Sequence, residues 1–158
     1  MPSITTPKEA ELNAAEVMRS WGFLDAISPK HGADGGIDVR SSKALAQVKF
    51  RSSKAGRPEI QNLVGARGAD HTKLLMFFDH KGYSPHAVEY ANQMNVGLFV
   101  YDRQGNVSAV NDAGRRMMAT TAWTRFVTFI RSTDFMVYGS LVAGLLLAGG
   151  VILISLSQ

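Results

Sequence analysis

Two short apolar runs, Gly35-Gly36-Ile37-Asp38-Val39 and Ala46-Gln47-Val48-Lys49-Phe50, constrain this chain more than any other stretch. Each carries polar residues that have to meet at one place. Paired as adjacent antiparallel strands joined by a turn, they alternate side chains across a sheet, so Gln47 and Lys49 share one face while Val48 and Phe50 point into the core. Asp38 then sits beside Gln47 and Lys49. An aspartate, a carboxamide and an ammonium on one rigid edge suit metal-assisted hydrolysis. The carboxylate holds a hard divalent cation, and the lysine orients a water and offsets charge at phosphorus. On spacing alone, the same residues also read as ordinary solvated side chains at a turn and an edge strand.

The wider pattern separates the two readings. Glu11, Ala14-Ala15, Val17-Met18 and Trp21-Gly22-Phe23 mark a leading helix. Asp34-Gly35-Gly36-Ile37-Asp38, Gln47-Val48-Lys49, a helix with Gly65-Ala66, Leu74 to Phe78, Gly82-Tyr83-Ser84, Ala87, Tyr90-Ala91 and Leu98 to Asp102 follow in order. Over residues 6–110 this order resembles the Mrr-like branch of the restriction-endonuclease-like nucleases, which have the PD-(D/E)xK type of core.

The resemblance implies an α/β restriction-endonuclease-like three-layer sandwich with a mixed central sheet. It also implies DNA as the partner, phosphodiester hydrolysis as the reaction, and Mg²⁺ as the cofactor, with Mn²⁺ as an alternative. Asp38, Gln47, Lys49 and Glu11 are nominated as catalytic, with Asp38, the Val48 carbonyl and Glu11 as oxygen ligands. The broader superfamily has an acidic residue at the place of Gln47. The Mrr-like branch is similar to this chain in using glutamine there, so the neutral amide fits the branch. The match to Gly-Gly-Ile-Asp favours Asp38 over Asp34, which reads as capping its turn. Glu16 rivals Glu11, and without the family either is a solvated helix residue. His31 is either a substrate contact or merely exposed.

Local signals place the elements. Thr6, Pro7 and Glu9 form a capping-box arrangement at a helix start. Leu12, Ala15, Val17, Met18 and Trp21 supply its apolar stripe, and Gly22 stops it. Leu24 to Ser28 reads as a first strand. After Lys49 comes a basic loop with Arg51, Lys54 and Arg57, then a helix over Pro58 to Val64, with Arg67 beyond. Beside a hydrolytic site, Arg51, Lys54, Arg57 and Arg67 are candidate phosphate contacts. Leu74 to Phe78 reads as a buried strand, Ser84-Pro85 caps a helix through Met94, and Leu98 to Tyr101 is a strand closed by a turn at 103–106.

The chain divides into a domain over 1–110, a juxtamembrane segment over 111–134 and a span over 135–156. No secretory signal is read at the start, where Met1 to Lys8 is short and polar. Phe135 to Leu156 contains no charged residue. At about 1.5 Å per residue such a helix crosses a hydrocarbon core of roughly 30 Å, so it reads as a single transmembrane helix. Arg115, Arg116, Arg125 and Arg131 precede it, and the positive-inside rule then puts the domain in the cytoplasm. Ser140 and Gly144 make a small-xxx-small pair compatible with a homodimer in the bilayer. Asn111 to Thr133 reads either as an interfacial helix at the headgroups or as a helix continuous with the span.

The net charge of +4 suits DNA or an anionic membrane surface without choosing between them. With no cysteine, zinc-finger chemistry is excluded. Two functional classes follow. One is a membrane-anchored, metal-dependent DNA endonuclease, acting in defence against foreign DNA or in DNA processing. The other is a non-catalytic nucleic-acid-binding or scaffold module that keeps the fold.

Overall fold

Helix α1 (Pro7–Ser20) begins as its first residues dictate. The Thr6 side chain accepts from the Glu9 N–H, and the Glu9 carboxylate accepts from the N–H groups of Thr6 at 2.9 Å and Thr5 at 2.7 Å. These bonds satisfy donors that a helix start leaves unpaired. Ala10, Ala14, Ala15 and Met18 are buried, whereas Leu12, expected in the stripe, is 52% exposed. At about 100° per residue, Leu12 lies on the opposite side of the helix from Ala10 and Ala14. Small alanines therefore face the sheet and bring the helix close to it. Gly22, at φ +93°, takes the chain out of the helix.

The computed structural model of the chain describes residues 3–29 and 36–119. Its sheet holds β1 (Val39–Arg40), β2 (Ala44–Lys49), β3 (Leu74–Asp79), β4 (Val96–Tyr101) and β5 (Val107–Ala109), in that spatial order. The β1–β2 and β4–β5 pairs are antiparallel, and the β2–β3 and β3–β4 pairs are parallel. Helices α2 (Arg57–Ala66) and α3 (Pro85–Gln93) make the two parallel crossovers. The sheet is thus mixed and the class α/β.

Strand alternation divides the interior into two cores. Ala44, Ala46, Val48, Met76, Phe78 and Phe99 pack with α1, and Leu45, Leu75, Phe77 and Leu98 pack with α2 and α3. With helices on both faces, β3 has no solvated side, which is why Leu74 to Phe78 reads as an unbroken apolar run. Phe78 and Phe99 stack at 4.9 Å, and Trp21 lies 4.8 Å from Phe99. Each fully buried phenylalanine contributes about 1.5–3 kcal/mol by burial.

Two local differences from expectation have simple causes. Leu24 to Ser28 forms no strand: Ile27 makes only an isolated bridge to Arg40, and Leu24 and Ile27 are 79% and 61% exposed. No sheet face is offered to them. Beyond β5, Asn111 is buried and saturated, its Oδ1 accepting from Leu98 and Gly114 N–H and its Nδ2 donating to Val96 O and Asn92 Oδ1. It starts a helical run over 112–119 whose Ala113 and Met117 are buried.

The chain divides into two units, Met1–Thr121 and Ala122–Gln158. No helix among the described residues is long and apolar enough to cross a membrane. The loop carrying His31 and Asp34, most of the 111–134 segment and the charge-free 135–156 run lie outside the described residues.

Candidate active site

The β1–β2 pairing puts Val39 opposite Ala46 and brings Asp38 alongside the end of β2. Asp38 donates its N–H to Ala46 O at 2.9 Å, and its Oδ2 accepts from the Val48 N–H at 2.8 Å. The carboxylate is therefore fixed to the backbone of the strand that carries Gln47 and Lys49. Those two residues share a face, as alternation requires. Val48 is buried among the α1-side residues, and Phe50 packs against the same core.

Gln47 is only 6% exposed, and its Oε1 is buried without a hydrogen-bond partner among the described residues. A buried amide oxygen left so is costly unless something else meets it. Gly36 makes room for this side chain. A Cβ there would lie 2.9 Å from Gln47 Nε2, and Gly36 also holds φ +78°, where other residues are strained.

Glu11, half-buried on α1, lies near enough to act on Asp38, whereas Glu16 is exposed. Burial pushes the Asp38 carboxyl above its ordinary value. The Val48 N–H and the Lys49 ammonium pull it down, the Glu11 carboxylate pushes it up, and Lys8 pulls it down. Two carboxylates and two ammonium groups thus act on one another here. Lys8 was not singled out from the sequence, although it lies one turn before Glu11. Its Nζ is 2.9 Å from Glu11 Oε2, 2.7 Å from Ser28 Oγ and 2.8 Å from Pro29 O.

A second charged cluster lies beyond Lys49. Asp79, the β3 partner of Lys49 in the register, is fully buried. Arg51 Nε lies 3.8 Å from Asp79 Oδ2, Arg51 Nη2 lies 2.5 Å from Glu59 Oε1, and Glu59 Oε2 accepts from Gly56 N–H at 2.7 Å. Arg51, expected as a phosphate contact, is thereby committed inside the domain, because a buried carboxylate needs a cation. The charge that ends the apolar run of β3 was the signal for this cluster. Lys54 and Arg57 are exposed, Arg57 lying 4.9 Å from the Tyr90 ring centroid, and Arg67 Nη2 is 3.1 Å from His71 Nδ1.

Among the described residues there is no group of three His, Cys, Asp or Glu side chains that could hold a metal ion. The oxygens at this edge are instead of mixed kind: two carboxylates and the buried Gln47 amide, with the Val48 carbonyl next in the strand. All are hard donors of the sort that Mg²⁺ or Mn²⁺ takes, and Gln47 Oε1, which has no hydrogen-bond partner among the described residues, fits such a cation.

A mixed sheet with helices packed on both faces, and Asp38 just before β1 bonded to the strand that carries Gln47 and Lys49, agrees with the restriction-endonuclease-like class of α/β fold. The family model described as restriction endonuclease, Mrr_cat, matches residues 4–105. The chain belongs to this Mrr-like restriction endonuclease family, and the matched domain is that of a DNA nuclease. No match is found among curated proteins or solved structures.

Proposed function

We propose that the protein is a metal-dependent DNA endonuclease held at the cytoplasmic membrane. The observation that carries this reading is the partly buried Asp38 carboxyl, on which the Lys49 and Glu11 charges both act, tied by the Val48 N–H to the strand that carries Gln47 and Lys49. Asp38, the Val48 carbonyl and Glu11 would hold Mg²⁺ or Mn²⁺, with Gln47 assisting. Such an ion, when bound, stabilises charge on a phosphoryl oxygen and makes water a better nucleophile.

The chain's own groups do the rest. Lys49, as an ammonium, donates a hydrogen bond that positions the attacking water in line with the scissile bond, and its charge offsets the negative charge building at phosphorus. The water oxygen forms a new P–O bond, the bridging P–O bond breaks, and the water proton ends on the departing oxygen or in solvent. Asp38, held by the Val48 N–H, keeps its carboxylate aimed without reorganising. Lys54, Arg57 and Arg67 hold phosphates away from the reacting one, which makes binding weaken as salt rises. Arg51 supports the loop through Glu59 and Asp79.

The membrane part rests on the charge-free run 135–156 and on the arginines before it. It places the nuclease domain in the cytoplasm, where DNA entering or anchored at the envelope is the substrate, and it permits a homodimer through the bilayer. Recovery of the full chain in the soluble fraction without detergent would remove this address.

Cleavage of plasmid, single-stranded DNA and RNA by the full chain in detergent, with and without Mg²⁺ or Mn²⁺, tests the chemistry. Metal-dependent cutting of DNA that Asp38→Ala lacks is the expected result. Cutting that persists in Asp38→Ala would sink the assignment.

A further inference from the structure

The reaction above gives Lys8 no task, yet its ammonium is tightly held at the site. Glu11 Oε2, Ser28 Oγ and Pro29 O all lie within hydrogen-bond distance of Nζ. An ammonium has three N–H donors, and these three acceptors use all of them. Glu11 Oε2 accepts in addition from the Ser28 hydroxyl at 2.9 Å. The carboxylate oxygen is therefore already engaged by two donors.

Charge points the same way. Glu11 and Asp38 repel, and Lys8 lies close enough to act on both. A cation among a carboxylate, a hydroxyl and a carbonyl oxygen has the surroundings that a hard divalent ion takes. Lys8 also sits in the first turn of α1 with its side chain 46% exposed, so it can leave for solvent without disturbing the core.

We propose that Lys8 is a resident counter-ion of the Glu11–Asp38 pair, which a divalent metal ion displaces from Glu11, so that Lys8 sets how tightly the site takes its metal. This rests on the metal-dependent nuclease reading. Lys8 is a positioning residue: it holds Glu11 in the metal-free protein and touches neither the water nor the phosphorus. Deleting its charge removes both a competitor for Glu11 and a unit of positive charge beside the incoming ion, and both changes favour metal binding.

The test is Mn²⁺ binding to the full chain in detergent, read by titration calorimetry and by the loss of the free Mn²⁺ paramagnetic resonance signal. Wild type, Lys8→Met and each of these with Asp38→Ala are compared, with far-ultraviolet circular dichroism as the check on folding. Lys8→Gln repeats the comparison should Lys8→Met fold poorly. Lys8→Met is expected to bind Mn²⁺ roughly tenfold more tightly than wild type. Asp38→Ala is expected to remove that binding in both backgrounds. Equal or weaker binding in Lys8→Met, still dependent on Asp38, would overturn the counter-ion role and leave the nuclease reading standing. Absence of Asp38-dependent binding in every protein would overturn both.

Discussion

Asp38 and Asp79 are two aspartates at the same end of the sheet, and burial pushes both carboxyls above their ordinary values. Their surroundings differ. Asp79 accepts from the Lys81 N–H at 2.6 Å and faces Arg51, which in turn faces Glu59, so negative and positive charges alternate along the cluster. A second carboxylate acts on each aspartate, Glu59 on Asp79 and Glu11 on Asp38, but Arg51 contacts both Asp79 and Glu59, whereas the cations acting on Asp38 are the Lys49 and Lys8 ammonium groups. Both clusters hold a buried oxygen without a hydrogen-bond partner among the described residues, Asp79 Oδ2 in the first and Gln47 Oε1 in the second, so the difference lies in the cation: an arginine in contact with two carboxylates in the first, flexible lysine ammonium groups in the second. Lys49 pairs with Asp79 in the β2–β3 register, while its charge acts on Asp38.

Mutations can break this contrast from either side. Lys49→Ala should lower the cleavage rate by roughly a hundred- to ten-thousand-fold while leaving the urea denaturation midpoint close to that of wild type. Unchanged cleavage would remove the proposed role of Lys49. Arg51→Ala should do the reverse, costing about 3 kcal/mol in urea unfolding because it strands Asp79 in the interior without its cation. Were Arg51 chiefly a phosphate contact, DNA affinity would fall and stability would not.

Gly36→Ala is expected to cost about 1–2 kcal/mol, since it puts a Cβ at φ +78° and against Gln47 Nε2. Cleavage should fall further than stability explains, because Gln47 is pushed from its place. A variant as active and as stable as wild type would show that neither the conformation nor the close approach matters.

The smallest effect sharpens the contrast through pH. Asp38 keeps its proton to higher pH in the folded chain than in the unfolded one, so its ionisation costs stability at neutral pH. The cost disappears as pH falls below the ordinary carboxylate range, where both states are protonated. Asp38→Asn should therefore be more stable than wild type at about pH 7, with the gap closing towards about pH 3, although it cannot cleave. Chemical denaturation across that range measures it, and a gap that widens in acid would reverse the sign argued here.

Much of the frame was legible because its signals are local. Thr6, Pro7 and Glu9 specify a helix start by bonds reaching three or four residues, and α1 begins there. The polar and apolar positions of Ala46 to Lys49 specify a strand and its two faces. Leu24 to Ser28 misled, since apolar residues make a strand only where a sheet edge receives them, and Leu24 and Ile27 meet solvent. Leu12 misled for a related reason. Periodicity marks an apolar side without telling which flank the sheet will cover.

The alternation of strands and helices, the family pattern and the neighbourhood of Asp38, Gln47 and Lys49 are written in spacings within short stretches of chain. Which charges meet depends on the fold. Lys8 finds Ser28 twenty residues away, and Arg51 finds Asp79 on a different strand. Tyr101 donates to Lys49 O from fifty-two residues away. A charge is satisfied by whatever the folded chain brings within a few ångströms. No spacing rule along one strand or helix contains that partner.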